Sequence, residues 1–101
     1  MSDEKIVVKI DPDLETLIPG FLNNRNKDLA TLRTALEEKN FPSLQSIGHS
    51  LKGVGGGYGF AGMSEIGAAI EKAAKGQALG ELKDLIERYG KYLAAVEVVY
   101  E

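Results

Sequence analysis

His49 is the only histidine in this chain of 101 residues, and its neighbours have the spacing that nucleophilic chemistry needs. Each residue of a helix turns about 100°, so Lys52, Gly53 and Gly56 share a helix face with His49. A neutral imidazole nitrogen is a nucleophile near neutral pH. A lysine one turn away can offset the negative charge of a phosphoryl group. This face therefore combines the groups that a phosphohistidine needs.

The glycines that follow His49 are a second indication that this segment has a function. Glycine inside a helix costs roughly 0.5–1 kcal/mol relative to alanine, and positions 53, 55, 56 and 57 are all glycine. Bare positions beside His49 would let the active site of another protein approach closely. A lone exposed histidine is usually a plain surface residue, however, and Gly55 on the buried side is expected to serve packing. From the residues alone, the functional and the structural interpretation stay evenly balanced.

Other site chemistries have little support in this sequence. Residues 57–62 fit the Gly-x-Gly-x-x-Gly dinucleotide pattern, but that pattern carries meaning only after a strand, and here it follows a predicted helix. There is no P-loop and no cysteine. A single histidine with dispersed carboxylates does not predict a metal site. Serines lie near His49, but no oxyanion site accompanies them, so a hydrolase is not expected.

The apolar residues after position 10 recur at helical spacing and predict an all-α, up-down four-helix bundle. We expect a short extra N-terminal helix over about 13–18, then a break, and a longer helix from near Pro19 to near Lys39. The histidine helix should begin near Pro42, and the glycines at 55–57 leave open how far it stays regular. Ser64 is expected to cap the third helix. Residues 76–80 are expected to form the turn before the last helix.

Both ends of the chain favour strands instead. Residues 6–10 and 96–100 are rich in β-branched side chains. They can pair as a small ribbon that ties the termini together, although an isolated two-stranded pairing is only marginally stable. The whole chain, 1–101, is expected to be one domain with its bundle core over about 13–95.

Composition excludes several classes of protein. With 44% hydrophobic and 27% charged residues, the chain is typical of globular proteins. Its net charge of −3 disfavours nucleic acid as a partner. No apolar run reaches the roughly 18 residues that span a bilayer, and the N-terminal residues lack the layout of a secretory signal. We expect a cytoplasmic protein that does not bind membranes, and a monomer is favoured because no large apolar face demands a partner.

Residues 49–60, HSLKGVGGGYGF, resemble the signature of the histidine phosphotransfer (HPt) domain family. That signature is His-x-x-Lys-Gly, followed by a second glycine ten residues after the histidine and then a small or apolar residue, here Gly59 and Phe60. The similarity extends over about 14–93. It implies a four-helix bundle with the histidine exposed midway along one helix.

The resemblance also implies roles for single residues. His49 would accept a phosphoryl group from an aspartyl phosphate or a kinase and pass it on, Lys52 would support that group electrostatically, and Gly53 would keep the histidine accessible. Glu71 stands at the spacing at which chemotaxis kinases carry a glutamate that orients the imidazole, and a solvated surface carboxylate is an equally favoured interpretation.

Gly53, Gly56 and Gln45 are assigned to the surface on which a partner docks. For Gln45, which stands one turn before His49, an exposed bystander is the favoured alternative.

The implied function is that of a phosphocarrier between a sensor histidine kinase and a response-regulator receiver domain in a two-component phosphorelay. No cofactor or metal is expected on this chain, and the Mg²⁺ for transfer would come from the receiver. No general base stands near His49, so we expect no autonomous kinase activity on ATP. The alternative is a non-catalytic helical adaptor that binds a receiver domain without carrying phosphate.

Overall fold

The computed structural model describes residues 5–101, and four helices make up most of them. The helices are α1 (Ile18–Glu37), α2 (Phe41–Tyr58), α3 (Ala61–Lys75) and α4 (Leu79–Ala95). Two strands, β1 (Ile6–Ile10) and β2 (Val96–Tyr100), flank them, and one 3-10 turn (Pro12–Leu14) follows β1. Short connections join consecutive helices, and α1 packs on α4 to close the bundle. The predicted all-α four-helix bundle is confirmed.

The core lies between the four helices because each buries an apolar stripe. Its fully buried side chains come from every helix and include Leu32, Leu44, Leu51, Ile70, Leu82 and Tyr89. Burying one such aliphatic side chain contributes roughly 1.5–3 kcal/mol relative to leaving it in water. The bundle is therefore a packed support for whatever its outer faces carry.

Local sequence signals determine where α1 begins and where α2 begins and ends. Pro19 and Pro42 stand in the first turn of α1 and α2, where a missing N–H costs nothing. The Asn40 side chain caps α2 by accepting a hydrogen bond from the Ser43 N–H at 3.2 Å. Gly59 ends α2 with φ of 90°, a left-handed conformation that favours glycine. Between these ends the glycines do not interrupt the helix.

Three local predictions differ from the structure. The extra N-terminal helix is a single 3-10 turn, Pro12–Leu14, whose start is held by the Asp11 carboxylate accepting from the Asp13 N–H. Ser64 does not cap α3, because α3 already begins at Ala61 and the Ser64 hydroxyl bonds to α2 instead. The last turn is shorter than 76–80, since α4 begins at Leu79.

The termini do pair, as a parallel ribbon in the register Ile6↔Val96 to Ile10↔Tyr100. Val8 and Ile10 are buried against the bundle, at 9% and 2% exposure. The ribbon is thus stabilised by the core beneath it rather than by its own few hydrogen bonds. No helix within residues 5–101 has the length and apolar character to cross a membrane.

Candidate functional site

His49 lies midway along α2, and its side chain is 72% exposed. Leu51, two residues later, is fully buried, so the opposite side of the helix faces the core. Lys52, Gly53 and Gly56 are all exposed. The structure therefore brings these predicted site residues together on one solvent-facing side of α2.

Glu71 reaches His49 from α3. Its Oε2 lies 3.0 Å from Nδ1 of His49, and the Glu71 side chain is only 16% exposed. An ionised carboxylate can only accept hydrogen bonds, so when Glu71 is ionised and the imidazole is neutral, Nδ1–H is the donor and the lone pair of Nε2 is left free. The arrangement presents Nε2, and not Nδ1, to anything that approaches from solvent.

The contact between Glu71 and His49 depends on a close approach of α2 and α3. A Cβ built at Gly48 would lie 2.7 Å from the backbone nitrogen of Glu71, and one built at Gly67 would lie 2.6 Å from the backbone nitrogen of Lys52. These neighbours are backbone atoms, which cannot turn aside as a flexible side chain can. The two helices are therefore closer here than any larger residue would permit.

Two further contacts fasten α2 to α3 along the same seam. The Ser64 hydroxyl donates to the carbonyl oxygen of Lys52 at 2.7 Å. Gly55 is buried, and its Cβ would lie 2.7 Å from the backbone nitrogen of Ser64, which agrees with the packing role expected of it. Gly48 and Gly67 are not among the site residues predicted from the sequence, although small residues on the facing sides of two consecutive helices are a signal of close packing.

The surface beside His49 is open in both directions along α2. Towards the start of α2, a shallow depression of about 460 Å³ is lined by Pro42, Gln45, Ser46, His49 and Glu71. Gln45 is half-buried in this lining. In the other direction, nothing lies within 4 Å of a Cβ at Gly53, and one at Gly56 would only touch the Ser64 hydroxyl, at 3.7 Å. Both directions leave space in which a second protein can reach the imidazole.

The fold and the site together define a helical bundle that presents one oriented imidazole to solvent. Comparison with protein-family models matches residues 17–98 to the Hpt domain. The match spans most of the chain, and the chain belongs to this family. Searches of curated proteins and of solved structures found no match.

Membership in the family establishes a general function. Hpt domains carry out histidine phosphotransfer in phosphorelays and interact with the response regulators and kinases of two-component systems. The match begins at residue 17, so β1 and the 3-10 turn lie outside it.

Proposed function

We propose that His49 accepts a phosphoryl group from the aspartyl phosphate of a response-regulator receiver domain, or from a sensor histidine kinase, and passes it on. The observation that carries this proposal is the exposed imidazole whose Nδ1 lies 3.0 Å from the Glu71 carboxylate. An imidazole that is held in one orientation with a free Nε2 lone pair is positioned for in-line attack on phosphorus. Such positioning matters because phosphoryl transfer depends mainly on positioning and charge neutralisation. The family match supports the same chemistry.

In the proposed step, the Nε2 lone pair of His49 forms a bond to phosphorus. The bond between phosphorus and the aspartyl oxygen breaks, and its electron pair returns to the aspartate carboxylate. The proton on Nδ1 stays on the ring, which gains positive charge, and the Glu71 carboxylate stabilises that charge. The reverse transfer to a receiver uses the same geometry with the bonds exchanged.

Lys52 is proposed to stabilise the oxygens of the transferred group. Its ammonium stands one helical turn from His49 on the same exposed side of α2. Charge-assisted hydrogen bonds to phosphoryl oxygens are about twice as strong as neutral ones. Replacing Lys52 should therefore slow transfer without abolishing it.

We propose that the Mg²⁺ for transfer is held by the receiver. Within residues 5–101, no group of three or more histidine or acidic side chains comes together as a metal site would need. We also propose that this chain has no kinase activity of its own. Nucleotide phosphates are held by glycine-rich loops, whereas Gly53 and Gly55–Gly57 lie inside a helix.

The test is transfer of labelled phosphate from a phosphorylated receiver domain with Mg²⁺. The wild type should become labelled, and His49→Gln should not. Lys91→Gln, an exposed substitution on α4, is the matched control and should behave as the wild type. The label should be acid-labile and base-stable, as a phosphohistidine is, and it can be assigned to His49 because the chain has one histidine. Equal labelling of the wild type and His49→Gln would refute the proposal.

The adaptor alternative makes a different prediction in the same experiment. A non-catalytic bundle would bind the receiver, take up no label, and keep its affinity when His49 is replaced by alanine. A second arm with MgATP alone should leave the wild type unlabelled. Labelling in that arm would contradict the role of a carrier that depends on its partners.

A further inference from the structure

Three residues of α3 lie in one line and each meets α2 at the site. Ser64, Gly67 and Glu71 follow one another by three and four residues, so they share one face of α3. The first donates to the carbonyl oxygen of Lys52, the second lies against the backbone of Lys52, and the third meets the imidazole of His49. Only the last of these contacts touches the ring itself.

The contact at Gly67 leaves no room for a side chain. A Cβ there would lie 2.6 Å from the backbone nitrogen of Lys52, 2.7 Å from the Cβ of Leu51 and 2.8 Å from the carbonyl oxygen of Gly48. All three atoms belong to α2, within three residues of His49. Any added atom at Gly67 must therefore separate the two helices one helical turn from the point at which Glu71 reaches across.

We propose that Gly67 and Ser64 are positioning residues for phosphotransfer, which hold α3 at the distance from α2 at which Glu71 reaches Nδ1 of His49. This inference rests on the proposed function of His49. Gly67 sets how near the helices come, and the Ser64 hydrogen bond keeps them there. Neither residue touches the reacting atoms, and both act through Glu71.

The size of the effect follows from the distances. Ordinary van der Waals contact begins at 3.4 Å, so a methyl group at Gly67 requires α3 to withdraw by about 0.8 Å from its 2.6 Å contact. The same displacement along the line between the helices would lengthen the 3.0 Å contact of Glu71 with His49 to about 3.8 Å. A separation of that size is no longer a hydrogen bond. Gly67→Ala should therefore release the imidazole almost as completely as removal of Glu71 does.

The measurement is nitrogen NMR of the His49 ring at a pH where the imidazole is neutral. His49 is the only histidine, so its two ring nitrogens are identified without ambiguity. In the wild type, Nδ1 should show the shift of a protonated nitrogen and Nε2 that of a bare one. Glu71→Ala and Gly67→Ala should both move these shifts towards those of a free neutral imidazole, which exchanges between its two tautomers. Gly80→Ala, an open helical glycine on α4, should leave them unchanged.

A double variant separates positioning from a general loss of stability. In the Glu71→Ala background, Gly67→Ala should cause no further change in the ring nitrogens, because the contact it disturbs is already absent. The rate of phosphorylation by potassium phosphoramidate, which needs no docked partner, should fall by roughly tenfold in each single variant and no further in the double one. Independent losses in the double variant would overturn the proposal.

Ser64→Ala keeps the proposal testable if Gly67→Ala does not fold. It removes one hydrogen bond and adds no atom, and it should move the ring nitrogens in the same direction by a smaller amount. If Gly67→Ala folds and its ring nitrogens keep the wild-type chemical shifts, the inference is overturned. If Gly67→Ala does not fold, wild-type chemical shifts in Ser64→Ala overturn it. The NMR experiment involves no phosphate, so its outcome is independent of whether His49→Gln abolishes labelling.

Discussion

Replacing Gly53 by alanine should stabilise the protein and at the same time slow phosphotransfer. Gly53 lies in the interior of α2, and no atom lies within 4 Å of the place its Cβ would take. Glycine in a helix interior is roughly 0.8–1.0 kcal/mol less favourable than alanine. The added methyl group meets nothing that offsets this gain, so the free energy of unfolding should rise by about 0.5–1 kcal/mol. For a domain of this size, Tm should rise by roughly 2–8 °C.

The same methyl group should interfere with docking. It projects into solvent one helical turn from His49, on the side of α2 that a receiver must approach. A misplacement of about 1 Å between reacting groups can cost on the order of 100-fold in rate. We expect transfer from a phosphorylated receiver to slow by roughly tenfold or more. Phosphorylation by phosphoramidate, which needs no docking surface, should stay at the wild-type rate.

Gly55→Ala is the matched control, since it makes the same substitution two residues further along the same helix. A Cβ at Gly55 would lie 2.7 Å from the backbone nitrogen of Ser64 and 3.1 Å from the carbonyl oxygen of Phe60. Overpacking of this kind typically costs about 1–3 kcal/mol. The propensity gain of alanine is smaller than that cost, so Gly55→Ala should be destabilised.

Urea unfolding followed by circular dichroism gives the free energies for both variants by linear extrapolation. A destabilised Gly53→Ala, or a Gly55→Ala that is stabilised to the same extent, would refute the reasoning from the space around each glycine. A stabilised Gly53→Ala that still receives phosphate from the receiver at the wild-type rate would refute the docking role of this position.

Three further predictions concern the bundle that supports the site. Burial raises the pKa of the Tyr89 phenol above its ordinary value of 10.0, so above about pH 10 the unfolded chain loses a proton that the folded chain keeps. The free energy of unfolding should then fall by up to about 1.4 kcal/mol per pH unit, and urea titrations at alkaline pH should show a weaker fall in Tyr89→Phe. Asn40→Ala removes the cap of α2 and should lower the free energy of unfolding by about 1 kcal/mol in urea unfolding, whereas Asn40→Asp keeps the acceptor and should cost less. Ile10→Ala should lower the free energy of unfolding by roughly 2–5 kcal/mol in the same assay, and Val7→Ala by less than about 0.5 kcal/mol, because Ile10 is 2% and Val7 57% exposed. Equal losses would show that the ribbon is not anchored in the core.

The helices and the exposed side of α2 were predictable because they depend on local periodicity. The spacing of Leu44, Leu51 and their neighbours reports which side of a helix faces the core, and His49 lies away from that side. Pro42 predicted where α2 begins for an equally local reason, its fixed φ and missing N–H. Such signals need only a few consecutive residues.

One prediction that failed, and one feature that was not predicted, involve partners distant in the chain. Ser64 has the composition of a helix cap, yet its hydroxyl finds the carbonyl oxygen of Lys52 on another helix. The strand tendency of residues 6–10 and 96–100 was predictable from the sequence. Their parallel orientation depends on where the four helices place the two ends of the chain. A residue's own propensity does not specify which distant group it will meet.

The amino-acid sequence by itself determined that one histidine, with Lys52 and Gly53 beside it, would stand on the solvent side of a helix. Only the tertiary structure decided that Glu71 meets Nδ1 of that histidine, at 3.0 Å and from another helix. The physical reason is the separation of α2 and α3, which Gly48 and Gly67 reduce to backbone contact. The periodicity of the apolar residues indicates which side of a helix is buried, but the distance between two helices is set only by how they pack.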